Sequence, residues 1–392
     1  MPEIIEPQWE RIDFGGEAMK RKCDILLVCL CLAFCAVFGW WVYLRPHSSF
    51  SESERRALST FPSFCAEDIA DGDFFAGLSR FYGDQFPLRE KFISLKALSE
   101  LALMRRENNG VILGSCGYLI MNPRYGELSL YEENLESVRL FCDKYRESGI
   151  DTDVFFAPRG IDVLSAHLPS IYDSSECERV WEMARDILPE LLSATDKIRE
   201  AEQSGERVWY RTDHHWTALG AYESYLCLAE HLEKTPLAPT ELRCDTVSED
   251  FRGSCYAKFG YRGMNAEQSF LLRYDGDEEY DIIYHGSEKS AAGFYSQADA
   301  DAYEVFLGGN FGHISIRSRA EGNREKLLLV KDSFANSVIP FLAAHYDLEV
   351  YDLRYFSDKL SEEIERIEPD RIVILYGIDT AVTDASLKRL LR

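Results

Sequence analysis

Basic residues are scarce in this chain. Against 67 Asp plus Glu stand only 43 Lys plus Arg in 392 residues, a formal net charge of −24. Binding nucleic acid or an anionic lipid surface through charge needs the opposite balance, so both roles are excluded. Also absent is any C-x-x-C spacing among the 11 cysteines, which removes the common zinc and thioredoxin-like readings. No segment repeats at 20–50 residues, so solenoids and propellers are out. Low-complexity sequence is confined to one short polar stretch. With 46% hydrophobic and 28% charged residues, the chain has the composition of a folded protein.

A long hydrophobic run occurs once. Residues 25–44, ILLVCLCLAFCAVFGWWVYL, carry no charge, and twenty helical residues span the roughly 30 Å hydrocarbon core of a bilayer. Lys20, Arg21 and Lys22 precede it and only Arg45 follows closely, while Trp40, Trp41 and Tyr43 cluster at its far end. That charge bias orients residues 1–23 toward the cytoplasm and everything past residue 45 outside. A cleaved signal peptide would have a shorter apolar region and a small-x-small site, which YLRPHSSF lacks. A buried soluble helix would show a polar stripe. The expected organisation is a cytoplasmic tail (1–23), an uncleaved membrane anchor (24–45), a stalk or linker (46–80) and an extracytoplasmic domain (81–392). Seven cysteines then face outside, an odd number that forbids a complete internal disulfide set.

Past the stalk, residues 74–104 read as mainly helical. Asn108-Asn109-Gly110 marks a turn, and VILG with YLIM predict a hairpin that has Ser115, Cys116 and Gly117 at its tip. Strand and helix then alternate: a helix over 131–148, a buried strand over 152–158, a helix over 176–188, a short strand over 207–210 and a helix over 217–233. Thr217 is placed to cap the last of these. Residues 244–318 are rich in Gly and Tyr, with short β-like runs such as YDIIYH. KLLLVKDS is a strand leading into a helix, FANSVIPFLAAHY, and LEVYDLRYF and DRIVILYG are further strands around an acidic helix at 357–367. This pattern predicts an α/β domain on a parallel sheet, with a β-rich insertion at about 244–318.

Two short constellations carry chemistry. Asp213-His214-His215-Trp216 lies between a short strand and a helix, where α/β folds place reactive groups. Asp213 and His215 are two apart, so an extended segment points both side chains the same way. An aspartate there fixes the tautomer of a histidine base. The bland alternative is a loop that caps the next helix. The second constellation, Lys331-Asp332-Ser333-Phe334, falls where an aliphatic strand gives way to a helix. Ser333 there has a nucleophilic hydroxyl, and His215 is the candidate to remove its proton; Asp332 or Ser333 acting only as a cap is the alternative. Asp, His and His also form a candidate metal set, but adjacent histidines normally project apart, and no metal is assigned. The other histidines (His47, His167, His231, His285, His313, His345) stand isolated and read as surface or packing residues.

Asp213-His214-His215-Trp216 resembles the signature of the DHHW protein family. It is also similar to the Asp-x-His-Trp motif of alginate O-acetyltransferases with SGNH-hydrolase-like domains. SERRALSTFP (53–62), FYGDQFPLREKF (81–92), the hairpin and KDSFANSVIPFLAAHY running into DLRYF fit the same family. The resemblance implies an SGNH-hydrolase-like, circularly permuted α/β parallel-sheet domain behind one N-terminal transmembrane helix. It further implies that Ser333 is the nucleophile, His215 the base and Asp213 its orienting group, with Trp216 supporting the loop and His214 beside it. Asn310, in Gly309-Asn310, offers either an oxyanion donor or a turn. Arg354 and Tyr355 border the pocket or serve packing. Lys331 departs from the glycine that a plain SGNH hydrolase has before its Asp-Ser. The implied activity is an O-acyltransferase or esterase acting on cell-surface polysaccharide, without cofactor. A multi-spanning membrane acyltransferase would be its acyl donor. A non-catalytic glycan-binding or scaffold protein on the same fold is the alternative.

Overall fold

The computed structural model describes residues 17–51, 53–54, 56–172, 175–286, 293–296 and 303–392. Most of the expected cytoplasmic tail, and residues 287–292 and 297–302 of the expected insertion, lie outside them. The chain forms two compact units, Met1–Phe92 and Ile93–Arg392.

In the first unit, the helix Glu17–Leu44 contains a stretch, Lys20–Leu44, long and apolar enough to cross a membrane. Residues 46–80, read from sequence as a stalk, contain regular structure: a two-stranded pairing of Phe50–Ser51 with Arg56–Ala57 and the helices Ala66–Asp71 and Asp73–Asp84. Gly72 makes the break between these helices at φ 87°, a left-handed turn that a side chain would strain. The 53–62 and 81–92 blocks hold one another here. Asp84 accepts from Arg56 and from Ser59 N, the latter at 2.8 Å, and Gln85 Nε2 donates to Ser48 O at 2.8 Å. The Arg56 guanidinium is the main reason the Asp84 carboxyl lies far below its ordinary range.

The second unit is built on a six-stranded sheet. Its strands are β1 (Asp151–Ala157), β2 (Tyr280–Tyr284), β3 (His313–Ser318), β4 (Lys326–Lys331), β5 (Asp347–Tyr351) and β6 (Arg371–Gly377), in the spatial order β1-β6-β4-β5-β3-β2. The first four in that order are parallel, and β3 and β2 join antiparallel. The sheet is therefore mixed, not wholly parallel as the sequence pattern predicts. The reason is visible in the residues. β4 and β6 read as near-continuous aliphatic runs because helices cover both faces. β2 alternates buried and exposed positions, as a half-solvated edge strand does. The stretch expected as an insertion thus divides. Leu242–Phe251 and Glu267–Tyr274 pair with each other as a separate ribbon, whereas β2 and β3 complete the main sheet.

Successive residues of the central strands enter opposite cores. Phe155, Leu327, Leu329, Val373 and Leu375 pack on one side with the helix Ala218–His231. On the other, Phe156, Leu328, Val330, Ile372 and Ile374 pack with the helices Ser129–Glu147 and Ser175–Ile187. Thr217 caps the helix Ala218–His231 by accepting from Gly220 N. Two expected elements come out smaller. Residues 207–210 make a single bridge, Trp209 to Trp216, instead of a strand. The helix expected after Ser333 is a tight turn, Ser333–Ser337, followed by the short helix Ile339–Ala343, because Pro340 has no N–H to continue the ladder.

Candidate active site

β4 delivers Ser333. Its aliphatic residues are fully buried, and the chain turns sharply at Asp332, whose carboxylate is tied down at both oxygens. Oδ1 accepts from Phe334 N at 3.0 Å and Oδ2 from Gly377 N at 2.9 Å, so the turn is fastened to the end of β6. Gly377 must lack a side chain, since a Cβ would lie 2.6 Å from the Phe334 ring. Ser333 consequently sits at the carboxyl end of the parallel strands, where ligands of open α/β sheets bind.

The loop bearing His215 is pinned from outside. Glu267, at the start of the separate ribbon, accepts from Arg211 N (3.0 Å), Thr212 N (2.7 Å) and Thr212 Oγ1 (2.6 Å). Asp213 and His215 then fall on one side. Asp213 Oδ1 accepts from His215 N at 3.0 Å and meets His215 Nδ1 at 2.7 Å, while Oδ2 accepts from Ser254 N at 2.7 Å. His215 Nε2 stands 2.9 Å from Ser333 Oγ. With Nδ1–H donated to the carboxylate, Nε2 is left to accept the serine proton. Burial favours a neutral Asp213, but the His214 and His215 imidazoles and its N–H partners outweigh it and hold the carboxyl well below the ordinary range. Gly253 lets this carboxylate in: a Cβ there would lie 2.3 Å from Asp213 Cβ and 2.4 Å from Oδ2.

Asp213 and His215, neighbours in one loop, are thus brought together with Ser333, 118 residues beyond His215. Trp216 is fully buried and donates Nε1–H to Ser337 Oγ at 2.9 Å, a support for the turn after Ser333. His214 lies tilted against His215 with ring centres 3.8 Å apart, contacts Ser254 Oγ at 2.5 Å and lines the cleft. Arg354 also lines it, held by Asp352 through Nε (2.9 Å) and Nη2 (2.7 Å). Asn310 and Tyr355 lie outside this lining. Asn310 Oδ1 is taken by Lys331 Nζ at 2.8 Å and Asn336 Nδ2 at 3.1 Å. Lys331 is itself fully buried among Asn310, Asn336 and Asp352. Burial draws its pKa down, with Asp352 pulling the other way.

Tyr303 has no sequence signature, yet its ring stacks on His215 at 3.9 Å and 7°, and its hydroxyl donates to Ser333 O at 3.0 Å. It lies in the Gly- and Tyr-rich stretch, where nothing distinguishes one tyrosine from the next. Ser254 and Glu267 escape notice for a like reason: both act across the fold, through a backbone N–H and a carboxylate. The cleft beside Ser333 holds about 260 Å³ and is walled by Met121, Arg159, Trp209, Ile378 and Thr380. A larger one, about 360 Å³, is lined by Arg139, Cys142 and Arg146, but burial pushes the Cys142 thiol up to about 12, which leaves no ready nucleophile there. Among the described residues two groups present metal-ligand atoms, Asp213 with His214 and His215, and His285 with His313 and Glu349. In the first, the two Asp213 oxygens and His215 Nε2 already have the partners given above.

The fold and this site define an SGNH-like α/β protein. Residues 121–252 match a family model described as an SGNH hydrolase-like domain of the acetyltransferase AlgX, and residues 196–353 match that of the DHHW proteins. The chain is thus similar to the DHHW proteins over residues 196–353 and to the SGNH hydrolase-like acetyltransferase domain over residues 121–252. It is 25% identical over 243 residues to the probable alginate O-acetylase AlgJ of Pseudomonas fluorescens, a match covering 59% of this chain and 58% of that relative. The AlgJ of Pseudomonas syringae pv. tomato is 23% identical over 214 residues, covering 52% and 51%. The chain therefore spans little more than half the length of these curated relatives. Among solved structures, a DHHW family protein from Eubacterium siraeum superposes with a TM-score of 0.61 at 20% identity, covering 72% of this chain and 95% of that one. Bacillus cereus PatB1, solved with a sulfonyl adduct, gives 0.60 at 17% identity, covering 70% and 97%. These two likenesses concern the fold.

Proposed function

We propose that this chain is a membrane-anchored, extracytoplasmic O-acetyltransferase or esterase acting on cell-surface polysaccharide. The observation that supports this most is the unbroken contact chain Asp213–His215–Ser333 opening onto the cleft. Ser333 Oγ attacks an acyl carbonyl carbon as its proton passes to His215 Nε2, and Asp213 stabilises the imidazolium. His215 returns the proton to the departing oxygen, leaving an acyl group on Ser333. A sugar hydroxyl or water, deprotonated in turn by His215, then takes that group, and His215 returns the proton to Ser333 Oγ as the acyl–serine bond breaks. Arg354 and His214 line the path of donor and acceptor. That Asp213 and His215 precede Ser333 in the chain fits a circularly permuted SGNH order.

In this reading residues 1–23 lie in the cytoplasm, 24–45 in the membrane, 46–80 link, and 81–392 work outside. One span cannot itself carry an acyl group across a bilayer, so a multi-spanning membrane acyltransferase is the natural donor partner. The test is to incubate the full-length protein, in detergent, with an activated acetyl ester and map adducts by peptide mass spectrometry. Acetyl on Ser333, absent in Ser333→Ala and in His215→Ala, is expected. No adduct and no acetate release from the wild type, with glycan binding intact in Ser333→Ala, would leave the scaffold alternative standing. Acetylated glycan, as against free acetate alone, separates transfer from hydrolysis.

A further inference from the structure

A second serine–histidine–carboxylate chain lies at the tip of the hairpin formed by Val111–Leu113 and Leu119–Met121. Ser115 Oγ is 2.8 Å from His167 Nδ1, and His167 Nε2 is 2.6 Å from Glu202 Oε1. The three come from separate elements: the hairpin turn, the turn Ser165–His167 and the helix Thr195–Gln203. Burial grades along the chain. Glu202 and His167 side chains are 9% and 16% exposed, and Ser115 is open to solvent. Donating Nε2–H to the carboxylate leaves Nδ1 to accept the serine proton, so the tautomer suits general-base work.

The backbone is arranged around this contact. Cys116, next to Ser115, sits at φ 54° and ψ 19°, and Gly117 follows at φ 78°. A non-glycine residue held left-handed is strained and marks a turn fixed by its surroundings. Gly114 supplies the fit: a Cβ there would lie 2.8 Å from His167 O, so only glycine lets the tip lie against the histidine's turn. The Tyr118 ring, 4.6 Å from the imidazole, covers its face.

We propose that Ser115 is a second nucleophile, activated by His167 and Glu202, for small activated acyl esters that reach the surface. Ser115 Oγ bonds to the acyl carbon while its proton moves to His167 Nδ1; the ester C–O bond breaks and the departing oxygen takes that proton. Water repeats the sequence on acyl-Ser115, releasing the acid and restoring the hydroxyl. This site shares no residue with Ser333, so either can fail alone.

The experiment treats full-length Ser333→Ala protein, in detergent, with a fluorophosphonate probe and follows labelling by peptide mass spectrometry. Ser148, also exposed, is the internal reference. Ser115 is expected to react about 100-fold faster than Ser148, the gain a positioned base supplies. His167→Gln should erase that excess, and Glu202→Gln, which keeps the side-chain shape, should cut it strongly with the melting temperature checked in parallel. If His167→Gln unfolds, Glu202→Gln decides. Ser115 no faster than Ser148, an adduct on Cys116 instead, or reactivity that survives substitution at 167 and 202 would overturn the proposal. Labelling of Ser333 is read from its own peptide in the wild type.

Discussion

Asp213 uses both carboxylate oxygens, one for His215 and one for Ser254 N, and an amide cannot do the same. In Asp213→Asn the NH2 group faces either the Ser254 N–H or the two His215 donors, and the second arrangement forces the wrong imidazole tautomer. A folded enzyme with kcat for acetyl-ester turnover reduced on the order of 10⁴-fold, and KM little changed, is the expected outcome. Tyr303 offers a contrast. Tyr303→Phe loses the hydroxyl contacts to Ser333 O and Ser337 Oγ but keeps the ring on His215. Denaturant titration should show a loss of about 1 kcal/mol, with kcat within several-fold of wild type. Of this site, Asp213, His215 and Ser333 were legible because spacing and the strand-to-turn change are local properties. Gly-Asn left Asn310 open to two roles, and its contact with Lys331 arises across the fold, beyond what local spacing can show.

The departure at Lys331 belongs to the scale of elements. Its ammonium meets Asn310 ahead of β3, Asn336 in the turn after Ser333, and Asp352 at the end of β5, which in turn grips Arg354. Three segments near the cleft therefore converge on one buried cation. Lys331→Met should destabilise the fold by about 1–3 kcal/mol, because Asn336 Oδ1 loses its donor while Asp352 keeps Arg354 and Asn310 Oδ1 keeps Asn336. A denaturation-based double-mutant cycle of Lys331→Met with Asp352→Asn should register coupling between the two positions, which are in direct contact. The central strands were readable because both faces are buried and their residues are uniformly aliphatic. β2 and β3 were not assigned to the sheet: a short β-like run, alternating in β2 and mostly buried in β3, says that a strand exists, not which neighbour it takes.

Across the whole molecule, acidity dominates. Residues past 45 carry −23 of the net −24, and several of these carboxylates are committed to partners. Burial works against the Glu349 charge, but bonds from His313 and Ser315 and the Arg317 guanidinium bring its pKa from 4.5 to about 2. Asp213 and Asp352 are lowered as well. A depressed native pKa gives stability that is complete above the unfolded value and lost as pH falls toward the folded one. Melting temperature should thus fall steeply between about pH 4.5 and about pH 2, a window set by Glu349. Glu349→Gln, less stable at neutral pH, should show a shallower acid slope. Glu267, raised chiefly by burial, acts in the opposite sense and loses part of its contribution as pH climbs past its unfolded value.

Gly253 gives the molecule an unusual point of vulnerability. Its missing side chain is the space that Asp213 occupies, so the position of the acid depends on emptiness as much as on bonding. A single added methyl, Gly253→Ala, changes no reactive group, yet it should displace Asp213 and abolish turnover in a chain that still folds. The proposed activity then hangs on a residue with no chemistry of its own. A descendant could fall silent while every reactive letter of its motif stayed in place.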